Sequence, residues 1–174
     1  MAVTDWRDKS SAKLQASPAG AERFKKDRFG LSVHWGLYSI GANKEWMQAL
    51  AKIPREEYAR LQTRFDPCAF SAGDWIAAAA GAGCTAFLVT AKHHDGFCLF
   101  DSRHTDFTAA GAPIGRDLLA ELAEACHRHG LSLHFYYSLI DWHHPSAGDC
   151  ELAPPKDFCD YCRFMLAQIE CLSC

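Results

Sequence analysis

No stretch of this 174-residue sequence stays apolar for the ~20 residues that a membrane-crossing helix needs. The N-terminal segment, MAVTDWRDKSSAKLQASPAG, is polar and lacks the apolar middle of a secretory signal. Charge of one sign is scarce as well: the formal net charge is −3, and no run of lysine and arginine stands out. Membrane and nucleic-acid partners therefore have no physical support in the sequence. Cysteine is not scarce. The count of nine is odd, and with no export signal the expectation is reduced thiols in a cytoplasmic rather than a secreted protein. Core material is plentiful: 49% of residues are hydrophobic, including 11 Phe and 5 Trp, which excludes a disordered chain. The length makes one domain the default, and the composition leaves the oligomeric state open.

The first twenty or so residues read as a lead-in, with the domain itself starting near residue 23. RFGLSVHWG, from Arg28 to Gly36, reads as a short strand that breaks into a loop at His34. IPREEYARLQTRF places Tyr58, Leu61 and Phe65 on one helical stripe behind Pro54. FSAGDWIAAAAGAG predicts a helix with Ser71 as N-cap, Asp74 three residues on, and Phe70 and Trp75 as a hydrophobic staple. Gly81 and Gly83 end it. CTAFLVT, from Cys84 to Thr90, is a continuous apolar run of the kind buried on both faces of a parallel sheet. GRDLLAELAEACHRHG predicts a helix with Leu118, Leu122 and Ala125 on one face, His127, Arg128 and His129 in its last turn, and Gly130 as its cap. LSLHFYYS reads as a third strand and KDFCDYCRFMLAQIECLSC as a final helix.

Strand, loop and helix thus recur about three times, which predicts an α/β parallel architecture. The chemistry-bearing residues follow each strand: His34 to Trp46, His93 to Asp95, and Tyr136 to Trp142. In parallel α/β folds, sites lie at the C-terminal ends of strands. Three βα units do not close a barrel, since a (β/α)8 barrel takes ~200 residues or more. The expectation is the first part of something larger.

KHHDGF admits three readings. It is a tight Asp-Gly turn with solvated histidines, or part of a metal site, or part of a site for a polar ligand. His34, His93, His94 and Asp95 have ligand chemistry, but no H-E-x-x-H spacing is present. A neutral imidazole both donates and accepts hydrogen bonds, which suits a hydroxyl-rich ligand such as a sugar. Gly96 lets the backbone turn beside it. HWG and KEWM add His34, Glu45 and two indoles, Trp35 and Trp46, each next to a polar group; Trp75 reads as core. An aromatic face beside hydroxyl-binding groups covers the C–H side of a sugar ring. In FYYSLIDWHHP, strand neighbours face opposite ways, so at most one of Tyr136 and Tyr137 is expected to point to the site. Cys159, Cys162, Cys171 and Cys174 form two C-x-x-C pairs, a zinc pattern. A helix between them holds Cys159 and Cys171 about 18 Å apart, too far for one ion.

RFGLSVHWGLYSI, EWM, AGCTAFLVTAKHHDGFCLFDSRHTDF and RDLLAELAEACHRHGLSLHFYYSLIDWHHP resemble, in order and spacing, the N-terminal part of the α-L-fucosidases of glycoside hydrolase family 29. The resemblance covers about Phe24 to Glu170. It implies residues 1–22 as lead-in and 23–174 as a truncated catalytic domain, an incomplete (β/α)8 TIM-like barrel. It implies a retaining hydrolase that removes terminal α-L-fucose from fucosylated glycans, without metal or cofactor. His34, Glu45, Trp46, His93 and His94 fall on the family's fucose-binding positions, as does Tyr136, with Tyr137 as the alternative. The nucleophile is implied to be an aspartate at the end of a fourth strand, beyond Cys174, with Glu45 given at most a minor catalytic part. The family's C-terminal β-sandwich is also not reached. This chain alone is then expected to be inactive; the alternative expectation is a non-catalytic sugar-binding protein of the same fold.

Overall fold

Three short apolar segments become one parallel sheet in the computed structural model, which describes residues 18–42, 44–148 and 156–172. In chain order the elements are α1 (Pro18–Lys26), β1 (Gly30–Val33), α2 (Met47–Leu50), α3 (Arg55–Ala59), α4 (Ala72–Gly81), β2 (Ala86–Lys92), α5 (Leu118–His129), β3 (Ser132–Tyr137) and α6 (Phe158–Leu172). Short 3-10 turns cover Leu37–Ser39 and Arg60–Arg64. The strand order is β1-β2-β3, with Val33 opposite Val89 and Thr90 opposite Tyr136. Among the described residues no helix is long and apolar enough to cross a membrane.

Local signals start and stop the two central helices. At α4, Ser71 Oγ accepts the N–H of Asp74, and the Phe70 and Trp75 rings meet at 4.9 Å as a staple should. At α5, Asp117 Oδ1 accepts the N–H of Ala120 at 2.9 Å. Gly130, in the left-handed region at φ 70°, ends that helix. The two helices pack on each other and cover one face of β2. Phe87, Val89, Ile76, Leu118 and Leu122 are fully buried in the resulting cluster. Each such side chain contributes roughly 1.5–3 kcal/mol of burial.

The β2–β3 ladder slips between Thr90 and Lys92, so that Tyr136 pairs with Thr90 while the next residue, Tyr137, pairs with Lys92. Ala91 is the extra residue, and the strand bulges there. Lys92 consequently turns toward α6, with Nζ 4.6 Å from the Tyr137 ring and 5.7 Å from the Tyr161 ring. At the other end of the sheet, Arg23 Nε of α1 donates to Ser132 Oγ at 3.1 Å, and His134 Nε2 donates to Asp27 at 3.1 Å. α1 runs across the division placed at residue 22, and these contacts tie it to the base of β3.

Several expectations change in detail. β2 begins and ends two residues later than the apolar run Cys84 to Thr90, and six of its seven residues are buried. The stripe of Tyr58, Leu61 and Phe65 is not one helix. It is α3 followed by the 3-10 turn, whose three residues per turn rotate Phe65 off the Tyr58 stripe. Phe65 then packs on Trp35 and Phe97, while Tyr58 reaches Asp95. Trp35 does not join His34 and the rings that follow the other strands: its indole lies among Phe65, Phe70 and Trp75 on the helix side, because it is the chain neighbour of an oppositely directed His34. Leu31 on β1, Phe135 on β3 and, beyond it, Leu139 and Ile140 remain exposed.

Candidate functional site

Each strand of the sheet delivers one polar ring to the same place. His34 follows β1, His93 follows β2, and Tyr136 is the next-to-last residue of β3. The His93 and Tyr136 rings stack at 5.3 Å and 22°. His34 is edge-on to His93 at 5.6 Å and lies 5.5 Å from Tyr136. His94 adjoins His93 at 4.2 Å. Trp46, from the loop between β1 and α2, stands edge-on to His94 at 5.0 Å and to Trp142 at 5.4 Å. Trp142 in turn lies 5.2 Å from His94.

Burial sets the protonation states. It pushes the His93 imidazole down to about 4, helped by the positive charge that His94 and His34 would carry and opposed by Glu45. Burial also lowers His94, with Glu45 opposing and Lys92 assisting. Both rings are therefore neutral near pH 7, each offering one N–H and one bare nitrogen. Glu45, the neighbour of Trp46 in the chain, acts on both rings through its charge. Tyr38 closes one side, its ring 5.8 Å from His93 and its phenol raised by burial. His93 Nδ1 and Trp142 Nε1 are buried with no hydrogen-bond partner among the described residues. An unpaired buried polar atom costs about 1–3 kcal/mol, so the cluster carries polar groups that the described residues do not satisfy.

The aspartates next to these rings are already engaged. Asp95 Oδ2 accepts from Tyr58 at 2.8 Å and Oδ1 accepts the N–H of Phe97 at 3.1 Å. Burial still raises its carboxyl to about 6. Asp141 Oδ2 pairs with Lys92 Nζ at 2.7 Å, and the two side chains are only 2% and 0% exposed. Its Oδ1 accepts the N–H groups of His143 and His144 at 2.9 and 2.8 Å. Gly96 joins the two turns: its φ is 80°, and a Cβ there would sit 2.5 Å from Asp141 Oδ1. The loops are further stitched by Trp142 N–H donating to the His94 carbonyl at 2.7 Å and Arg55 Nε donating to the Trp142 carbonyl at 2.8 Å. The tight-turn reading of KHHDGF is thus correct for Asp95 and Gly96, while His93 and His94 are not solvated.

His34, Glu45, Trp46, His93, His94 and Tyr136 all gather at this end of the sheet. Tyr137 does not: its hydroxyl donates to Gln168 Oε1 on α6 at 2.6 Å. His143 stacks on Phe107 at 4.0 Å and His144 lies tilted against Phe164 at 4.3 Å, both outside the cluster. Sequence reasoning does not single out Tyr38 or Ser138, and it does not promote Trp142 from its motif to the site. Ser138 carries the one legible signal, as a hydroxyl directly after a strand. Among the described residues no three His, Cys, Asp or Glu side chains are grouped to hold a metal ion. Cys159, Cys162 and Cys171 lie on the unbroken helix α6, and Cys174 lies outside the described residues.

Comparison with known proteins identifies the family. The sequence matches the family model described as Alpha-L-fucosidase over residues 4–173. It is 43% identical over 88 residues to "Putative alpha-L-fucosidase 1" of Oryza sativa subsp. japonica, covering 49% of this chain and 17% of that protein. It is 31% identical over 139 residues to the tissue alpha-L-fucosidase of Rattus norvegicus, covering 70% of this chain and 30% of that one. Alpha-L-fucosidase isoenzyme 1 from Paenibacillus thiaminolyticus superposes with a TM-score of 0.81 at 41% identity, over 87% of this chain and 39% of that chain. An alpha-L-fucosidase from Bacteroides thetaiotaomicron superposes with a TM-score of 0.83 at 32% identity, over 91% of this chain and 38% of that chain. The chain therefore spans well under half the length of each of these relatives, and it belongs to the α-L-fucosidase family of glycoside hydrolases.

Proposed function

We propose that this chain forms the sugar-binding wall of an α-L-fucosidase that removes terminal α-L-fucose from glycans, on a barrel of which β1 to β3 are the first strands. The carrying observation is the convergence of three imidazoles, a phenol and an indole at the C-terminal ends of three parallel strands. In this reading His34, His93, His94 and Tyr136 hold the ring hydroxyls. Neutral imidazoles are suited to this, because each hydroxyl both gives and takes a hydrogen bond. Trp46 covers the apolar face of the sugar. Glu45 accepts from a further hydroxyl.

The chemistry needs more than these groups. A retaining glycosidase uses two carboxyl groups ~5–5.5 Å apart, one attacking the anomeric carbon and one protonating the leaving oxygen. A related fucosidase from Bacteroides thetaiotaomicron is described as a trapped covalent intermediate, which fits that course. Asp95 and Asp141 are committed to turns and to the Lys92 ion pair, which leaves Glu45 as the carboxylate beside the cluster. We assign the chain to binding, and place the nucleophile on a residue it does not contain.

Titration of the chain with L-fucose, together with hydrolysis of an aryl α-L-fucoside, tests this. The expected result is saturable L-fucose binding that is lost in His93→Ala, with no release of the aryl alcohol. Turnover by this chain would refute the placement of the nucleophile. Equal binding of wild type and His93→Ala would refute the site.

A further inference from the structure

We infer that Ser138 is a positioning residue: it holds His94 in the tautomer protonated on Nδ1, leaving Nε2 as a bare acceptor for a sugar hydroxyl. The inference rests on the sugar reading of the pocket for the identity of the ligand, but the tautomer itself follows from proton counting.

Ser138 Oγ has three neighbours. It lies 2.6 Å from His94 Nδ1, 2.7 Å from the Ile140 carbonyl oxygen and 3.0 Å from the Ile140 nitrogen. A hydroxyl has one proton and two lone pairs. A carbonyl oxygen only accepts, so the Ser138 proton goes to Ile140 O. The Ile140 N–H occupies one lone pair. One lone pair remains for His94, and it requires that Nδ1 carry the hydrogen. A neutral imidazole protonated on Nδ1 has no proton on Nε2.

The surroundings keep this arrangement in place. Ser138 N–H donates to the Lys92 carbonyl at 2.9 Å, which ties the serine to the end of β2. The His94 carbonyl accepts from Trp142 N–H at 2.7 Å, and the ring is flanked by Trp46 and Trp142. His94 Nε2 bonds no protein group among the described residues. The direction of the hydrogen bond to a ligand is thereby set: His94 takes a proton from a hydroxyl and does not give one. A ligand group that only accepts, such as a ring or ether oxygen, is rejected at that point. Ser138 acts through His94 and does not touch the sugar.

The test is a long-range proton–nitrogen NMR spectrum of the full chain labelled with nitrogen-15 at histidine, recorded at neutral pH with and without L-fucose. The expected spectrum shows His94 with a protonated Nδ1 and a bare Nε2, and L-fucose shifts the Nε2 resonance. Ser138→Ala is expected to move both nitrogens toward a mixture of tautomers and to weaken L-fucose about tenfold, the scale of one lost well-placed hydrogen bond. Ser138→Thr, which keeps the hydroxyl, is expected to restore both. A wild-type His94 protonated on Nε2 overturns the proposal, as does a Ser138→Ala variant with unchanged nitrogens and affinity. If Ser138→Ala does not fold, the wild-type tautomer still decides. A wild-type chain with the Nδ1 proton that ignores L-fucose supports the lock by Ser138 and refutes the sugar reading alone.

Discussion

His93 should remain neutral at acidities where an exposed imidazole is fully charged. Its side chain is 4% exposed, and a proton on it would face the imidazoles of His94 and His34. These effects hold its pKa at about 4 against an ordinary 6.5. An unfolded chain protonates His93 near 6.5, whereas the folded chain does so only near 4. Between those values the unfolded state binds more protons, so stability falls as the pH falls. The contribution is complete above the ordinary value and fully lost once the pH has passed below the folded one. The displacement corresponds to roughly 3 kcal/mol, and solvent screening reduces the expected effect to about 2 kcal/mol. An NMR titration of the His93 ring reads the midpoint directly. Urea unfolding at several pH values reads the linked loss, and His93→Gln should flatten part of the slope, leaving the share due to His94. A His93 midpoint near 6.5, or a slope unchanged in His93→Gln, would refute the reasoning.

Lys92→Met should destabilise the fold by about 3–5 kcal/mol by stranding a buried Asp141 carboxylate, and adding Asp141→Asn should recover part of that; a urea midpoint unmoved by the single change would contradict it. Gly96→Ala should cost about 1–3 kcal/mol, because the left-handed backbone is strained for alanine and the new methyl meets Asp141, and differential scanning calorimetry reads the loss. Trp46→Ala should weaken discrimination of L-fucose from its hydroxymethyl analogue L-galactose by about 0.8 kcal/mol, roughly fourfold, the value of one methyl removed from water. Competition binding measures it, and an unchanged ratio removes Trp46 from the sugar's methyl side.

The parts of the site carried by strands are legible in the sequence, and the parts carried by loops are much less so. His93 and His94 stand out because they interrupt an apolar run at the end of β2, while alternation along β3 limits the site to one of Tyr136 and Tyr137 and the family resemblance favours Tyr136. Glu45 and Trp46 are marked out by their residue types in KEWM and given sugar-binding positions by the family resemblance, since nothing in periodicity says where the chain returns after β1. Trp35 shows the opposite failure. A polar neighbour makes it look like a pocket residue, but alternation sends it to the helix side, where Phe65, Phe70 and Trp75 surround it. The 3-10 turn at Arg60–Arg64 is invisible to a stripe of apolar residues, because the tertiary contacts of Tyr58 and Phe65 decide it. Ser138 is hidden for a further reason: its role depends on three partners, two from Ile140 and one from His94, that meet only after folding.

The bulge at Ala91 works as a phase corrector. Strict alternation from Thr90 would send Ala91 outward, Lys92 into the pocket and His93 beneath α6. By letting Ala91 and Lys92 both face outward, the bulge brings His93 back into step with His34 and Tyr136. Straightening the strand without shortening it would exchange two incompatible chemistries. An ammonium would stand among the rings of His34 and Tyr136, and an imidazole would be left against the Asp141 carboxylate.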